Sequence, residues 1–244
     1  MKIAMITVLY GKSTYKFMNH LEKNYGYLKQ IGMKIFIIDN GNHNYKIKDD
    51  SSVVIIKNRN TGFSKSINLG LRKLFNDHEY ALVVNPDLDF EFDEVLSMTS
   101  SLEDNFAVIE TKEFNQTIAI RYFNKITGQI SNKKSFSCIE FFNGPAFSIS
   151  RKCFKKLDGF DERYFLYFED LDFSIKLHSH NIPLNVIKSK NFVHHPASSS
   201  SNIGKRERIA SVSGLLFTFK HMRFNLFLYI RYIIKYLLSP CRTK

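Results

Sequence analysis

Over the first hundred residues, short apolar runs alternate four times with segments of helical periodicity, and this alternation constrains the fold more than any other feature. Residues 2–9, 34–38, 53–56 and 80–84 are apolar runs of strand length, the pattern of strands buried on both faces. Residues 14–31 carry Phe17, Leu21, Leu28 and Ile31 on one helical stripe, and residues 63–75 carry Ile67, Leu71 and Leu74. A third helix is expected over 92–102. The repeat predicts a mostly parallel, doubly wound α/β sheet flanked by helices. The strand ends at Leu9, Asp39 and Asn85 should then open on one edge, where such sheets bind ligands.

Beyond residue 105 the pattern loosens. Strands are expected over 106–110, 117–123, 136–142 and 146–150, with a turn at Gly128 and a break at Asn143-Gly144-Pro145. Short helices follow over 151–157 and 169–180, separated by an aromatic loop, and short strands over 184–187 and 191–194. The serine run at 198–201 marks a boundary. Residues 1–104 form one half of a domain, 105–200 the other, and 201–244 a tail. The chain of 244 residues is 44% hydrophobic, enough for a sizeable core. Three separated cysteines, Cys138, Cys153 and Cys241, argue against a disulfide framework and fit a reducing compartment. The N-terminal stretch reads as a first strand and not a signal peptide.

Net charge is +12, and the tail holds nine of the lysines and arginines against one acid, Glu207. A basic tail implies an anionic partner, either a membrane surface or a nucleic acid. Residues 205–238 read as one or two basic, apolar helices. No 18-residue window between Gly214 and Pro240 is free of charge, so a helix lying in the membrane interface is expected over one that spans it. A helix packed on the domain is the plainer alternative.

Four clusters carry possible chemistry. Asn85-Pro86-Asp87-Leu88-Asp89 follows a buried strand and offers oxygen ligands suited to Mg2+ or Mn2+, although Asn, Pro and Asp are also ordinary turn formers. Glu169-Asp170-Leu171-Asp172 opens a helix after the aromatic residues Phe160, Tyr164, Phe165, Tyr167 and Phe168. Acidic residues favour a first turn through capping and the helix dipole, but one of these also fits a general base. His194-His195-Pro196 ends a strand, and a neutral imidazole, His194 by preference, could complete a metal site. Asn58 to Phe63 enters a helix whose free N–H groups would attract phosphate.

The order of these clusters resembles the family 2 glycosyltransferases. The resemblance rests on the strand Ile3 to Tyr10, on Ile38-Asp39-Asn40-Gly41, on Asn60-x-Gly62-Phe63 and Asn68-x-Gly70, and on Asn85-Pro86-Asp87. It continues in Asn143-Gly144 to Ser150, Gly159-Phe160-Asp161-Glu162, Glu169-Asp170-x-Asp172 and His194, so that it spans about residues 1–200. The bacterial rhamnosyltransferase and galactofuranosyltransferase-like branch, with Asn-Pro-Asp in place of Asp-x-Asp, is the most similar. The resemblance implies the GT-A fold, a nucleotide-sugar half and an acceptor half. It implies donor contacts at Thr7, Tyr10, Asp39, Asn60, Gly62 and Asn85. A divalent metal, Mn2+ or Mg2+, would sit on Asp87 and His194, with Asp89 as a compensating carboxylate. Asp170 would be the catalytic base, with Glu169 as the alternate.

The implied activity is inverting transfer of a sugar from a nucleotide-diphosphate donor, dTDP-rhamnose or a UDP-sugar, to a hydroxyl of a glycan acceptor. The acceptor would be lipid-linked, in synthesis of a bacterial surface polysaccharide such as O-antigen. The protein would be cytoplasmic and peripheral on the inner face of the plasma membrane, with no nucleic-acid partner. Three rivals are a nucleic-acid-binding protein, a non-catalytic sugar-binding protein, and a methyltransferase. The last is disfavoured because no Gly-rich turn follows the first strand.

Overall fold

A computed structural model describes residues 3–11, 13–41, 43–44, 52–99, 105–195 and 203–239. The first half runs β1 (Ile3–Leu9), α1 (Ser13–Gln30), β2 (Lys34–Asp39), β3 (Val53–Lys57), α2 (Phe63–Leu74), β4 (Tyr80–Val84), β5 (Leu88–Asp89) and α3 (Phe92–Thr99). The second half begins with β6 (Phe106–Ile109), β7 (Thr111–Glu113), β8 (Gln116–Ile118), β9 (Ile120–Asn124), β10 (Ile130–Ser131) and β11 (Cys138–Phe142). It closes with β12 (Ala146–Ser150), α4 (Arg151–Leu157), α5 (Glu169–Ser179), β13 (Asn185–Ile187) and β14 (Val193–His194). The tail is two helices, α6 (Ile203–His221) and α7 (Leu226–Leu238).

The main sheet has the order β13-β6-β12-β4-β1-β2-β3. β1 pairs in parallel with both β2 and β4, and β2 with β3, while β12 runs antiparallel between β4 and β6. Alternate side chains of the apolar strands enter opposite cores, as a pleated strand requires. Ala4, Ile6, Phe36, Ile38, Ala81 and Val83 meet Ile67, Leu71 and Leu74 of α2 on one face. Met5, Ile35, Ile37, Leu82 and Val84 meet Phe17, Met18 and Leu21 of α1 and Val95 of α3 on the other. Both faces are covered, so the strands read as continuous apolar runs.

Two small sheets complete the second half. β10-β9-β11 is antiparallel, and β5-β14-β7-β8 brings together segments about a hundred residues apart. A third core joins Phe123 and Phe141 of the first small sheet to Tyr164, Leu171, and Phe217, Leu228 and Tyr232 of the tail helices.

Several expectations change in detail. The single strand expected over 117–123 is broken at Ala119 into β8 and β9, because its two parts pair with different partners. The strands expected over 136–142 and 191–194 are shorter, Cys138–Phe142 and Val193–His194. β5, β7 and β10, of two or three residues each, carry no period long enough to read. Residues 100–102 of the third expected helix, the serine run and Cys241 lie outside the described residues. Cys138 and Cys153 are free thiols. No described helix is long and apolar enough to cross a membrane.

Candidate active site

The register of β1 on β2 sets Leu9 beside Asp39, so the chain leaves both strands on one edge, and β4 ends there too. A cavity of about 670 Å³ opens on this edge, within the size range of small-molecule sites. Its first-half wall includes Tyr10, Asn40, Asn60, Gly62, Asn85 and Asp87. The loops here are tied together: the Asn40 amide donates to Ser66 Oγ at 2.8 Å, and the Asn58 amide donates to Asn40 Oδ1 at 3.0 Å. Gly62 has φ +89°, and a Cβ there would lie 2.3 Å from the Phe165 carbonyl oxygen. The turn therefore requires glycine both for its backbone and for its contact. The Phe63 N–H donates to that same carbonyl at 2.7 Å, so the start of α2 holds the aromatic loop with a group that was expected to meet phosphate.

On the floor, Asp87 and His194 come together, as the short pairing of β5 with β14 dictates. Asp87 Oδ1 is buried without a hydrogen-bond donor and faces His194 Nε2 at 3.5 Å. On the other side of the ring, His194 Nδ1 lies 2.5 Å from Glu113 Oε1. Glu113 also accepts from Arg121 and, at 3.1 Å, from the Asn143 amide. Burial would raise Glu113, but the bonds from His194 and Asn143 and the Arg121 charge hold it down at about 2. Burial would lower His194, but the two carboxylates outweigh it and lift it to about 9.

This arrangement fits a divalent cation. A cation between Asp87 and His194 would satisfy the orphaned Oδ1 and take the place of the Nε2 proton. The Nδ1–H would remain on Glu113, the usual orientation of a metal-binding histidine by a carboxylate. Among the described residues no set of three or more His, Cys, Asp or Glu side chains gathers around one point. Asp87 and His194 would be two ligands, a number that suits an ion such as Mg2+ that takes its remaining oxygens from phosphates and water.

The opposite wall is the first turn of α5. Tyr167 and Phe168, both with φ +70°, turn the chain through the left-handed region just before it. Such conformations are costly for bulky residues and mark positions that the surrounding structure holds in place. Glu169 and Asp170 follow and line the cavity. Asp170 Oδ1 accepts from Leu171 N at 2.8 Å, and a Cβ on Gly144 would lie 3.5 Å from Asp170 Oδ2, so the Asn143-Gly144-Pro145 turn lies close against this carboxylate. Glu169 Oε2 is buried with no partner. Burial pushes both carboxyls well above the ordinary carboxylate range, and for Glu169 the neighbouring Asp170 charge adds to it. The third acid, Asp172, faces away. It accepts from Lys220 Nζ and His221 Nε2, each at 2.7 Å, and so ties α5 to the tail.

Of the residues expected from the sequence, Tyr10, Asn60, Gly62, Asn85, Asp87, Glu169, Asp170 and His194 line the cavity. Three stand apart from its walls. Thr7 is fully buried within β1, its hydroxyl without a partner. Asp39 is buried and accepts from the N–H groups of Gly41 and His43, while its neighbour Asn40 reaches the cavity. Asp89 is half exposed and paired with Lys16 at 2.6 Å and His195 at 2.8 Å, not joined to Asp87. Glu113, Arg121 and Asn143, together with Arg206, Arg231 and Lys235 of the tail, belong to the cavity without having been singled out for it. Glu113 lies in a strand of three residues, too short for sequence periodicity to detect, whereas Arg121 lies in a stretch expected to be a strand and gave no signal of a site.

No family model matches this chain. A curated relative, the low-salt glycan biosynthesis hexosyltransferase Agl10 of Haloferax volcanii, is 20% identical over 151 residues, covering 56% of this chain. The chain spans about half (49%) of that relative's length. Among solved structures, S. aureus TarS 1-349 superposes with a TM-score of 0.54 at 16% identity, over 98% of this chain and 81% of that one. The Pyrobaculum calidifontis mannosyltransferase PcManGT, in complex with GDP-Man and Mn2+, gives 0.54 at 11% identity, over 96% and 69%. GalNAc-T7 with UDP, GalNAc and Mn2+ gives 0.57 at 13% identity, over 87% and 48%. With its one antiparallel strand between parallel neighbours, this chain has the GT-A fold that these glycosyltransferases share.

Proposed function

We propose that this chain is a glycosyltransferase that moves a sugar from a nucleotide-diphosphate donor to a hydroxyl of a glycan acceptor, with inversion. The observation that carries the reading is one cavity lined on one side by the orphaned Asp87 with His194, and on the other by Asp170 in a burial that raises its proton affinity. The fold shared with glycosyltransferases, and the nucleotide sugars bound by TarS (UDP-GlcNAc) and PcManGT (GDP-Man), point the same way.

The donor would lie along Tyr10, Asn40, Asn60 and Asn85 with its diphosphate toward Asp87. A Mn2+ or Mg2+ ion held by Asp87 and His194 would supply charge neutralisation for the diphosphate. Asp170 takes the proton of the acceptor hydroxyl. That oxygen forms its bond to the anomeric carbon as the bond from this carbon to the diphosphate oxygen breaks. The pair of electrons leaves with the nucleotide, and attack from the opposite face inverts the centre. A dTDP-rhamnose or UDP-sugar donor, a lipid-linked acceptor in surface polysaccharide or O-antigen synthesis, and a peripheral place on the inner face of a bacterial plasma membrane complete the proposal.

Thermal unfolding with UDP, dTDP, GDP and a nucleic-acid control, each with and without Mn2+, tests it. A ligand at a hundred times its Kd stabilises the folded state by about 2.7 kcal/mol. For a chain of this size that is on the order of 5–10 °C in Tm. One nucleotide should shift Tm more with Mn2+, and Asp87→Ala should shrink the metal-dependent part. A shift with nucleic acid and none with any nucleotide would overturn the reading.

A further inference from the structure

Helix α7 is amphipathic in the opposite sense to a helix lying in water. Leu226, Phe227, Ile230, Ile233, Ile234 and Leu237 point outward and are exposed. Leu228, Arg231, Tyr232 and Lys235, at the i, i+3, i+4, i+7 spacing of a single face, turn toward the domain. Leu228 and Tyr232 anchor this face: a Cβ on Gly128 would lie 2.8 Å from Leu228 Cδ2 and 3.2 Å from the Tyr232 hydroxyl. The Tyr232 ring also packs 5.7 Å from that of Phe168, the residue just before the Glu169–Asp170 pair. Arg231 and Lys235 are thereby carried to the cavity on its α5 side, where α6 adds Arg206.

Some cations around the fold are held by acids and others are not. Arg72, Arg121, Arg151, Arg163 and Lys220 are each paired with a carboxylate. Among the described residues, Arg206, Arg231 and Lys235 have no such partner. Arg206 Nε donates only to the Tyr167 hydroxyl, at 3.1 Å. Arg231 Nε is buried with nothing to donate to. An unsatisfied buried donor on a cation is costly unless a ligand completes it. Two guanidinium forks and an ammonium lining one cavity suit the oxygens of a phosphate group.

We infer that Arg206, Arg231 and Lys235 form a subsite for a phosphate group carried by the acceptor. The inference rests on the glycosyltransferase reading and deepens it. The chemistry required is a phosphate ester or diphosphate held on the Asp170 side of the cavity while the donor diphosphate lies on the Asp87 side. Such a group comes either from a lipid diphosphate that carries the glycan or from a soluble polyol phosphate. The exposed apolar face of the same helix favours the lipid-borne source.

Calorimetric titration of the full chain, saturated with whichever of UDP, dTDP or GDP binds it, tests the subsite. Decyl diphosphate, decanol and a glycerol phosphate oligomer are the probes. Decyl diphosphate should bind with the nucleotide in place, and decanol should not. Arg231→Gln and Lys235→Gln, tested separately, should each weaken binding by roughly tenfold, the value of one charge-assisted contact. The nucleotide Kd should stay the same. Lys235 is exposed, so its variant keeps the fold even where the Arg231 variant loses it. Binding of the glycerol phosphate oligomer in place of decyl diphosphate, with the same loss in both variants, would uphold the subsite and assign it to a soluble source. Phosphate probes that compete with the nucleotide, or bind the variants as well as the parent, would overturn the subsite and leave the enzyme reading standing. A chain that binds no nucleotide diphosphate would fail the enzyme reading itself.

Discussion

Burial is what would make Asp170 a base. A carboxylate in water is a weak base, and one whose proton affinity is raised by an apolar wall is a better one. The raised value also sets a pH dependence. As the proposed base, Asp170 would have to be ionised to accept the acceptor proton, so turnover should climb as pH rises through the raised value and level off above it. Asp170→Asn should lower kcat by about 10²–10⁴-fold while the nucleotide Kd is held. Initial rates over a pH series on both proteins, with whichever donor is turned over, measure this. An unchanged rate in the variant would move the base elsewhere, with Glu169 the next group to test. The same burial acts on stability with the opposite sense. Between the ordinary carboxylate range and the raised folded values, the folded chain keeps protons that the unfolded chain has lost, so stability falls as pH rises through that window.

At the scale of elements, the small β5-β14-β7-β8 sheet holds the proposed metal pair. β14 supplies His194, β7 supplies Glu113, and the β5–β14 pairing brings the Asp87 turn to them. If Glu113 fixes the His194 ring through Nδ1, then Glu113→Gln should weaken Mn2+ binding by about 10–100-fold. Calorimetry with Mn2+ and the nucleotide reads this without turnover, and Glu113→Asp should restore part of it. Equal Mn2+ affinity in parent and Glu113→Gln would remove Glu113 from the site. This sheet also marks where sequence reading stops. Tyr80–Val84 and Ala146–Ser150 are legible as strands, since short runs of mostly apolar side chains buried on both faces suit a central strand. Asp87 and Asp170 are legible because each follows or opens such an element. Glu113 is not, because three residues in β7 carry no period and its partner His194 lies 81 positions away. Asp89 fails for the converse reason. It shares the acidic turn with Asp87, but Asp87 sits in the turn itself, and in β5 Leu88 is buried while Asp89 is exposed and paired with Lys16 and His195.

At the scale of the molecule, the tail joins two surfaces. Its inner side packs on the domain through Phe217, Leu228 and Tyr232, and Asp172 is bonded to Lys220 and His221 of α6. Its outer side exposes Leu226, Phe227, Ile230, Ile233, Ile234, Leu237 and Leu238 in one band, with Arg223 and Phe224 at the bend between the helices. A contiguous apolar band of this kind marks an interaction surface. The proposed membrane role assigns it to the lipid interface, where the chain's net +12 charge would add attraction to anionic headgroups. The full chain should then sediment with vesicles of phosphatidylglycerol and phosphatidylcholine, more weakly as salt rises. Ile230→Glu with Ile233→Glu replaces two outward residues without touching the cavity-facing side. Each isoleucine taken into lipid contributes roughly 1.5 kcal/mol or more, so the pair of changes should lower the partition constant by on the order of 100-fold. The nucleotide-dependent Tm shift should persist in the same protein. Vesicle binding equal in parent and variant would take the band away from the membrane, and a parent that forms a dimer dissociated by the two glutamates would assign it to a second copy of the chain.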